Sequence, residues 1–446
     1  MRNRIQLSDH FTYGRLLRFV LPSIAMMIFT SIYTVVDGFF VSNYVGKIPF
    51  AALNLIWPYL MAFGVVGFMA GAGGSALVSR SLGEGKPDRA RQEFSLLVYF
   101  IIGTGILLTI LGIALMEPVA RLLGAEGEMV DLCVLYGNII MAAQTAFILQ
   151  TMFQSFFVTA EKPQLGLVFT LAAGLTNMVL DFLLIAVFPL GLTGAALATA
   201  TSQVVGGICP LVYFSRKNGS LLWLTRTSFN WRTILQTCTN GSSELMTNLS
   251  TAIVSALYNL QLLRLAGEDG VAAYGVIMYA NFVFMAIFLG YSIGMTPVVG
   301  YHYGAGSTVE LNNLLKKSLV LMATGGTVML FLSQALATPM SRVFVGYDEN
   351  LLVLTVHGFR LFAVSFLLLG FNIFGSAFFT ALSNGLVSAT ISFLRTLLFQ
   401  VMAILILPEV LPGVDGVWLS VVAAEALALV VTGYFLVKMK DRYQYA

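Results

Sequence analysis

The acidic residue Asp37 lies inside an almost wholly apolar stretch, TSIYTVVDGFFVSNYVG, which runs from Thr30 to Gly46. An ionised Asp near the centre of a membrane-spanning helix costs about 2.5–3.5 kcal/mol. The side chain avoids this cost by facing a wet cavity, by binding a cation or by taking up a proton. The stretch therefore indicates a site that a small cation enters and leaves. The alternative is that Asp37 pairs with a buried hydroxyl or amide and only fixes helix packing.

Three further polar residues fall near the depth of Asp37. Counted from the predicted outer ends of their helices, Asp37, Asp181 and Thr199 all lie roughly 12–15 Å below the outer surface, because an α-helix rises about 1.5 Å per residue. Asn177 lies one turn deeper than Asp181 on the same helical face. We expect the four side chains to converge, although Thr199 could instead bond only to the backbone of its own helix.

Such a group could hold either of two small cations. A buried setting and a neighbouring carboxylate both favour the protonated form, so an Asp pair can exchange a proton near neutral pH. Sodium would need several oxygen ligands, by analogy with other hard cations, and these side chains could supply them. We predict a cation-coupling site at Asp37, Asn177, Asp181 and Thr199. Asp37 and Asp181 are metal ligands only if the ion is sodium, and no other cofactor is predicted.

The composition indicates a membrane protein. Of the 446 residues, 58% are hydrophobic and only 10% are charged, whereas about 25% are charged in a soluble domain. The net charge of +3 is not clustered, which argues against a nucleic-acid partner. Three cysteines and three histidines form no metal-binding pattern. The amino-terminal segment MRNRIQLSDHFTYGRLLRFVLPS lacks a small-residue cleavage site, so we interpret it as a retained lead-in to the first span.

Twelve apolar runs are long enough to cross a bilayer, which takes about 20 residues. They predict an all-α polytopic membrane protein with twelve transmembrane helices in two pseudo-twofold-related six-helix lobes. The predicted spans are 16–41, 50–79, 93–115, 131–158, 164–188, 192–214, 236–262, 271–300, 314–337, 351–379, 385–408 and 414–437.

The distribution of Lys and Arg predicts the orientation. With the amino terminus inside, eighteen of the 24 basic residues fall in inside segments, four fall in outside loops, and Arg360 and Arg395 fall within spans. This bias predicts a multi-pass protein of the cell (inner) membrane with both termini cytoplasmic.

The chain repeats itself at an offset of 221 residues. FFVTA at 156–160 meets AFFTA at 377–381, and GEG at 83–85 meets GAG at 304–306. A constant offset over such a length predicts two copies of one unit. Each copy holds six spans, so the copies are parallel repeats that can rock about a central cavity, as in transporters. We predict lobes at 1–214 and 236–446 and a basic cytoplasmic linker at 215–235.

The second copy lacks the acidic site. At the 221 offset Asp37 meets Tyr258 and Asp181 meets Met402, and at an offset of 222 in the last span Thr199 meets Val421. Cation coupling is therefore expected in the first lobe.

Several segments resemble one family of transporters. LPSIAMMIFTSIYTVVDGFFVSNYVG, AALNLIWPYL and GAGGSALVSRSLGEGKPDRA resemble the first two spans of the multidrug and toxic compound extrusion (MATE) family, and GSSELMTNLS, GVAAYGVIMY and GYHYGAG resemble its second half. The resemblance implies an exporter of organic, often cationic compounds driven by inward flow of protons or sodium. Its prokaryotic branches use an Asp in the first span, Asn-x-x-x-Asp in the fifth and a Thr in the sixth, which match Asp37, Asn177, Asp181 and Thr199.

Four other embedded residues are candidates for a substrate cavity: Glu244, Tyr258, Arg360 and Arg395. Glu244 could equally be a helix-start carboxylate favoured by the helix dipole. Arg395 and Glu425 share a depth in the membrane, so we expect a buried ion pair between them. The embedded arginines leave anionic or zwitterionic substrates open, and His357 is a minor candidate for a proton relay.

Together these features predict an ion-coupled antiporter that exports small amphipathic compounds by alternating access, as a monomer in the lipid bilayer. A flippase of lipid-linked precursors from the same superfamily is the alternative. A polytopic membrane enzyme is less consistent with the sequence, because the loops hold no reactive His, Ser or Cys constellation.

Overall fold

The computed structural model describes residues 5–411 and 413–445, so Arg2 and Arg4, two of the residues predicted to lie inside, are outside the described part. The described residues form helices joined by short turns. The helices are α1 (Tyr13–Phe40), α2 (Lys47–Gly83), α3 (Pro87–Ala114), α4 (Met116–Leu122), α5 (Glu128–Ala142), α6 (Gln144–Thr159), α7 (Pro163–Asp181), α8 (Gly191–Phe214), α9 (Trp231–Gly304), α10 (Thr308–Val345), α11 (Glu349–Phe362), α12 (Phe366–Ala381), α13 (Gly385–Phe393), α14 (Phe399–Val410), α15 (Asp415–Lys438) and α16 (Lys440–Tyr443).

The prediction of twelve spans in an all-α fold is confirmed. Within the described residues, ten helical segments are long and apolar enough to cross a membrane, and α5 and α6, bent by 52° at their junction, make an eleventh. The 74-residue helix α9 is broken at Gly267, where φ is 63° and ψ is −150°. Glycine adopts this backbone conformation without the steric cost that a Cβ brings. The break divides α9 into two antiparallel spans, which completes the twelve.

The connection between the two halves runs from residue 215 to residue 230. It ends at Asn230, whose side chain accepts hydrogen bonds from the backbone N–H groups of Arg232 and Thr233. This cap starts α9 five residues before the predicted span. The connection packs on α3, because the Arg91 guanidinium lies 3.7 Å from the centre of the Trp223 ring.

Both ends of the described chain lie on one face of the molecule, which we call the terminal face. Phe11 packs edge-on against His302, and Tyr443 packs against Tyr303, so both ends meet the last turn of α9. The opposite side, which holds the turn at Gly267, is the far face.

The two lobes touch closely in the half of the molecule next to the terminal face. A Cβ added to Gly73 of α2 would collide with the carbonyl oxygen of Thr237 in α9, and one added to Gly83 would collide with that of Tyr301. Small residues permit such backbone contact between membrane helices. The helices α1 and α2 of the first lobe therefore close against α9 of the second lobe.

The segment before α1 bridges the lobes across the terminal face. The backbone N–H of Leu7 donates to Glu161 in the α6–α7 turn at 2.7 Å, and that of Phe11 donates to Glu310 of α10 at 2.9 Å. Lys317 also donates to the carbonyl oxygen of Phe11, at 2.7 Å. These contacts hold the terminal ends of both lobes together.

Candidate functional site

Two helices of the first lobe change their geometry beside the acidic residues. α7 ends at Asp181 and continues directly as a π-helical turn over Phe182–Val187. α1 likewise continues after Phe40 as a π-helical turn over Val41–Val45, about one helical turn beyond Asp37. Such turns are rare and often occur at functional sites, because the extra residue redirects neighbouring side chains.

The structure brings the four predicted coupling residues together. The carboxyl groups of Asp37 and Asp181 lie beside each other, and the Asn177 amide lies near Asp37. Asn177 Nδ2 also donates to Thr199 Oγ1 at 3.5 Å, a long hydrogen bond. Asp181 is fully buried, Asn177 is 2% exposed, and Asp37 and Thr199 are half-buried. The depth count along separate helices therefore led to one cluster.

This cluster holds more hydrogen-bond acceptors than donors. One carboxylate oxygen of Asp37, both of Asp181 and the amide oxygen of Asn177 are buried and have no hydrogen-bond partner among the described residues. A buried acceptor without a donor costs free energy, and a carboxylate costs the most. A proton shared by the carboxyl groups, or a small cation among the oxygens, would remove that cost.

Four polar residues beside the cluster escaped the sequence analysis. Tyr33 lies one turn before Asp37 and reaches Gln150 of α6. Tyr136 of α5 is 1% exposed and lies near both carboxylates. Gln203 is one turn beyond Thr199 and 6% exposed. Helical spacing could have found Tyr33 and Gln203, whereas Tyr136 and Gln150 belong to the bent α5–α6 span, where depth cannot be counted along one straight helix.

The side-chain oxygens of the cluster at Asp37, Asn177, Asp181 and Thr199 belong to carboxylate, amide and hydroxyl groups. Among residues 5–411 and 413–445, no group of three or more His, Cys, Asp or Glu side chains is placed to hold a metal ion. Oxygen atoms of this kind, gathered around Asp37 and Asp181, could bind a proton or a hard monovalent cation.

Two of the four candidate substrate residues, Glu244 and Arg395, lie near each other, and Tyr258 and Arg360 have different surroundings. Tyr258 is 2% exposed, donates to Gln400 at 3.0 Å and stacks on Tyr274 inside the second lobe. Glu244 is half-buried and lies in the first half of α9, near the end that begins at Trp231. Arg360 is exposed on α11.

Arg395 is 6% exposed, and its Nε donates to Glu425 at 3.0 Å, so the predicted ion pair is confirmed. His357, the minor relay candidate, pairs instead with the exposed Asp415 at 2.8 Å.

A pocket of about 620 Å³ lies beside the break in α9, towards the far face. Its walls are apolar except for Asn259 and Glu268. The lining residues are Ala256, Asn259, Leu260, Leu263, Glu268, Val271 and Ala272. Most of the lining residues are exposed, so this is a shallow, open pocket on α9 and not an enclosed cavity.

The family model MatE matches the chain twice, over residues 22–183 and 245–405. The chain belongs to the MATE family. The two matched ranges fall one in each lobe, in agreement with the internal repeat. As a MATE protein it is a multi-pass membrane transporter and not an enzyme.

Curated relatives match almost the whole chain. The multidrug export protein MepA of Staphylococcus haemolyticus (strain JCSC1435) is 22% identical over 432 residues, which cover 96% of this chain and 94% of the relative. MepA of Staphylococcus aureus (strain NCTC 8325 / PS 47) is 21% identical over 434 residues, with the same coverage of both chains.

Solved structures share the fold over the full length. A MATE protein crystallised in complex with MaL6 matches with a TM-score of 0.93 at 21% identity, and each chain is covered to 100%. A MOP superfamily transporter from Pyrococcus furiosus, described as having a binding pocket of reverse polarity, matches with a TM-score of 0.91 at 22% identity and 100% coverage of both chains. At these identities the likeness shows the twelve-helix, two-lobe fold alone.

Proposed function

We propose that this MATE transporter is an antiporter that exports small amphipathic organic compounds in exchange for protons or sodium ions. One observation carries the proposal: one carboxylate oxygen of Asp37 and both carboxylate oxygens of Asp181 are buried without a hydrogen-bond partner among the described residues. A site with this excess of negative charge stabilises a small cation and is costly without one. The MepA relatives, named as multidrug export proteins, support the direction and the kind of substrate.

The lobe arrangement supports alternating access. The terminal ends of α2 and α9 touch backbone to backbone, while the pocket at Glu268 lies towards the far face. In the proposed cycle the lobes rock so that a substrate loaded from one side is released on the other. An ion can drive this motion only if it binds the two conformations with different affinity. The π-helical turns beside Asp37 and Asp181 are the elements that we expect to repack.

The orientation completes the proposal. We propose that the terminal face, with both termini, lies in the cytoplasm, because the segments on this face hold an excess of Lys and Arg. We further propose that the protein acts as a monomer without a nucleic-acid partner.

The test is dye or drug efflux from proteoliposomes, with proton and sodium gradients imposed one at a time. We expect export to follow one of the two gradients and Asp37→Asn to abolish the dependence while the protein still inserts and folds. Asp131→Asn, an exposed position in the same lobe, is the matched control. Export that ignores both gradients would overturn the proposal.

The same assay distinguishes an ion-coupling role of Asp37 from a role in helix packing alone. If Asp37→Asn prevents insertion or folding, the residue fixes helix packing. A flippase for lipid-linked anionic precursors would need accessible positive charge in the cavity, and Arg395 is instead neutralised by Glu425.

A further inference from the structure

The second lobe contains a buried polar cluster built from three spans. Arg395 lies in a π-helical turn (Leu394–Leu398) between α13 and α14, and its Nε donates to Glu425 Oε1 of α15 at 3.0 Å. Asn372 of α12 donates to Glu425 Oε2 at 2.7 Å and to the Glu425 carbonyl oxygen at 2.9 Å. Thr432 donates to Asn372 Oδ1 at 3.0 Å. All four residues are at most 6% exposed.

Every acceptor in this cluster has a donor. Both carboxylate oxygens of Glu425 and the amide oxygen of Asn372 are paired. The first lobe is the opposite, because Asp181 has two buried oxygens without a partner among the described residues. Each lobe therefore holds a buried acid, but only the second lobe has a positive charge built in beside it.

The internal repeat shows what replaces the arginine in the first lobe. At the 221 offset Arg395 corresponds to Gly174, and at the 222 offset of the last span Glu425 corresponds to Gln203. A Cβ added to Gly174 would collide with the rings of Phe29 and Tyr33 of α1, so no side chain fits there. The first lobe thus lacks both the guanidinium and the space for it.

We propose that Arg395 is a tethered cation: its guanidinium permanently occupies the place beside Glu425 that a free cation would otherwise take, so the second lobe binds no exchangeable ion. A guanidinium stays charged at any working pH and, unlike sodium or a proton, cannot leave. Arg395 is in this sense a positioning residue that confines ion exchange to the first lobe. The confinement of ion exchange to the first lobe rests on the proposed function. The claim that the guanidinium takes the place of a free cation beside Glu425 can be tested without it.

The test compares thermal unfolding of purified full-length variants in detergent, in sodium chloride and in choline chloride at equal ionic strength. The double variant Asp37→Asn/Asp181→Asn is the parent, because it removes both first-lobe carboxylates that would also respond. We expect the Tm of this parent to be the same in both salts. A parent whose Tm still rises with sodium, in a way that Glu425→Gln abolishes, would show an exchangeable ion in the second lobe and overturn the proposal.

Arg395→Met added to this parent leaves Glu425 without its cation. We expect a lower Tm that is partly restored by sodium, by acid or by millimolar guanidinium, and we expect Arg395→Lys to resemble the parent. Glu244 of α9 also lies within electrostatic range of Arg395, so it is changed together with Glu425. Adding Glu425→Gln and Glu244→Gln to Arg395→Met should restore the Tm and abolish all three responses. If the loss of Tm ignores sodium, acid and guanidinium alike, the pair is only a structural contact and the proposal is wrong.

Two outcomes remain distinct in this design. If Arg395→Met cannot be purified, the parent and its Glu425→Gln variant still decide the point, because both keep the arginine. Failure of the proposed function would appear as gradient-independent export by the unmodified protein, whereas failure of the tethered-cation proposal appears only among the variants at Arg395 and Glu425.

Discussion

The two lobes have the same arrangement of six spans, and they differ in the hydrogen-bond partners of their buried acidic side chains. In the first lobe Asp37 and Asp181 face each other with acceptor oxygens that have no donor within the described chain. In the second lobe Glu425 is held by Arg395 and Asn372 with every oxygen paired. A duplicated unit has thus given one half with buried acceptor oxygens that lack partners within the described chain and one half in which the carboxylate oxygens of Glu425 are paired.

The same backbone feature supports both arrangements. A π-helical turn follows Asp181 in the fifth span, and another surrounds Arg395 in the eleventh. The two turns do not occupy equivalent positions at the repeat offset, so each lobe has shaped its own polar centre. If the proposed function is correct, we expect the first lobe to change its packing with the ion and the second lobe to move as a rigid body.

The largest expected effect is on coupling in the first lobe. Asp181→Asn removes one carboxylate of the pair, and we expect ion-driven export to fall by roughly a hundredfold, since the charge at stake is worth about 2.5–3.5 kcal/mol. Thermal stability should hold or rise, because a buried, unpaired charge is gone. Efflux under a gradient and unfolding in detergent measure the two effects. Export that stays near the level of the unmodified protein would remove Asp181 from the coupling site.

The same kind of change in the second lobe should have the opposite profile. Arg395→Met leaves a buried carboxylate without its partner, which costs about 3–5 kcal/mol of stability in such pairs. Unfolding in detergent should show a clearly lowered Tm, whereas Arg395→Met combined with Glu425→Gln should recover most of it. Equal stability of the single and double variants would mean that the two lobes do not differ as described.

A smaller effect on ion binding is expected when a residue of the first lobe is replaced by the residue at the matching position of the second lobe. Thr199→Val introduces the residue found at the matching position, Val421, and removes one hydroxyl oxygen from the cluster. The loss of one hydrogen-bonding group is worth about 1 kcal/mol, so the half-saturating ion concentration should change roughly fivefold while stability stays the same. Titration of export against the driving ion checks this. The control is Thr201→Val, the same substitution at an exposed position of the same span, which should leave the ion titration unchanged.

The smallest effect is expected at the exposed pair of the second lobe. His357 and Asp415 have 53% and 47% exposed side chains, and pairs of this kind contribute about 0–1 kcal/mol. His357→Gln should therefore leave the pH dependence of export unchanged and shift the Tm very little. A displaced pH profile would instead make the second lobe a participant in proton movement.

Much of the fold followed from the sequence because the bilayer imposes simple rules on length and polarity. Twelve apolar runs predicted the twelve spans, and the offset of 221 residues predicted the two lobes. The convergence of Asp37 and Asp181 also followed, since depth along a straight helix is a count of residues. The substrate-cavity residues stay a prediction, and one of them, Tyr258, is 2% exposed and pairs with Gln400 inside the second lobe.

By itself, the sequence determined the class of protein, the number of spans, the repeat and the depth of each embedded polar residue, because these depend only on residue type and on distance along the chain. Only the tertiary structure decided which of those residues have partners. It showed that Glu425 is neutralised by Arg395 and that Asp181 is not neutralised by any described residue, and it added Tyr136 and Gln150 from a bent span. Pairing depends on the azimuth of each helix and on local π-helical turns, which arise from packing between helices far apart in the chain.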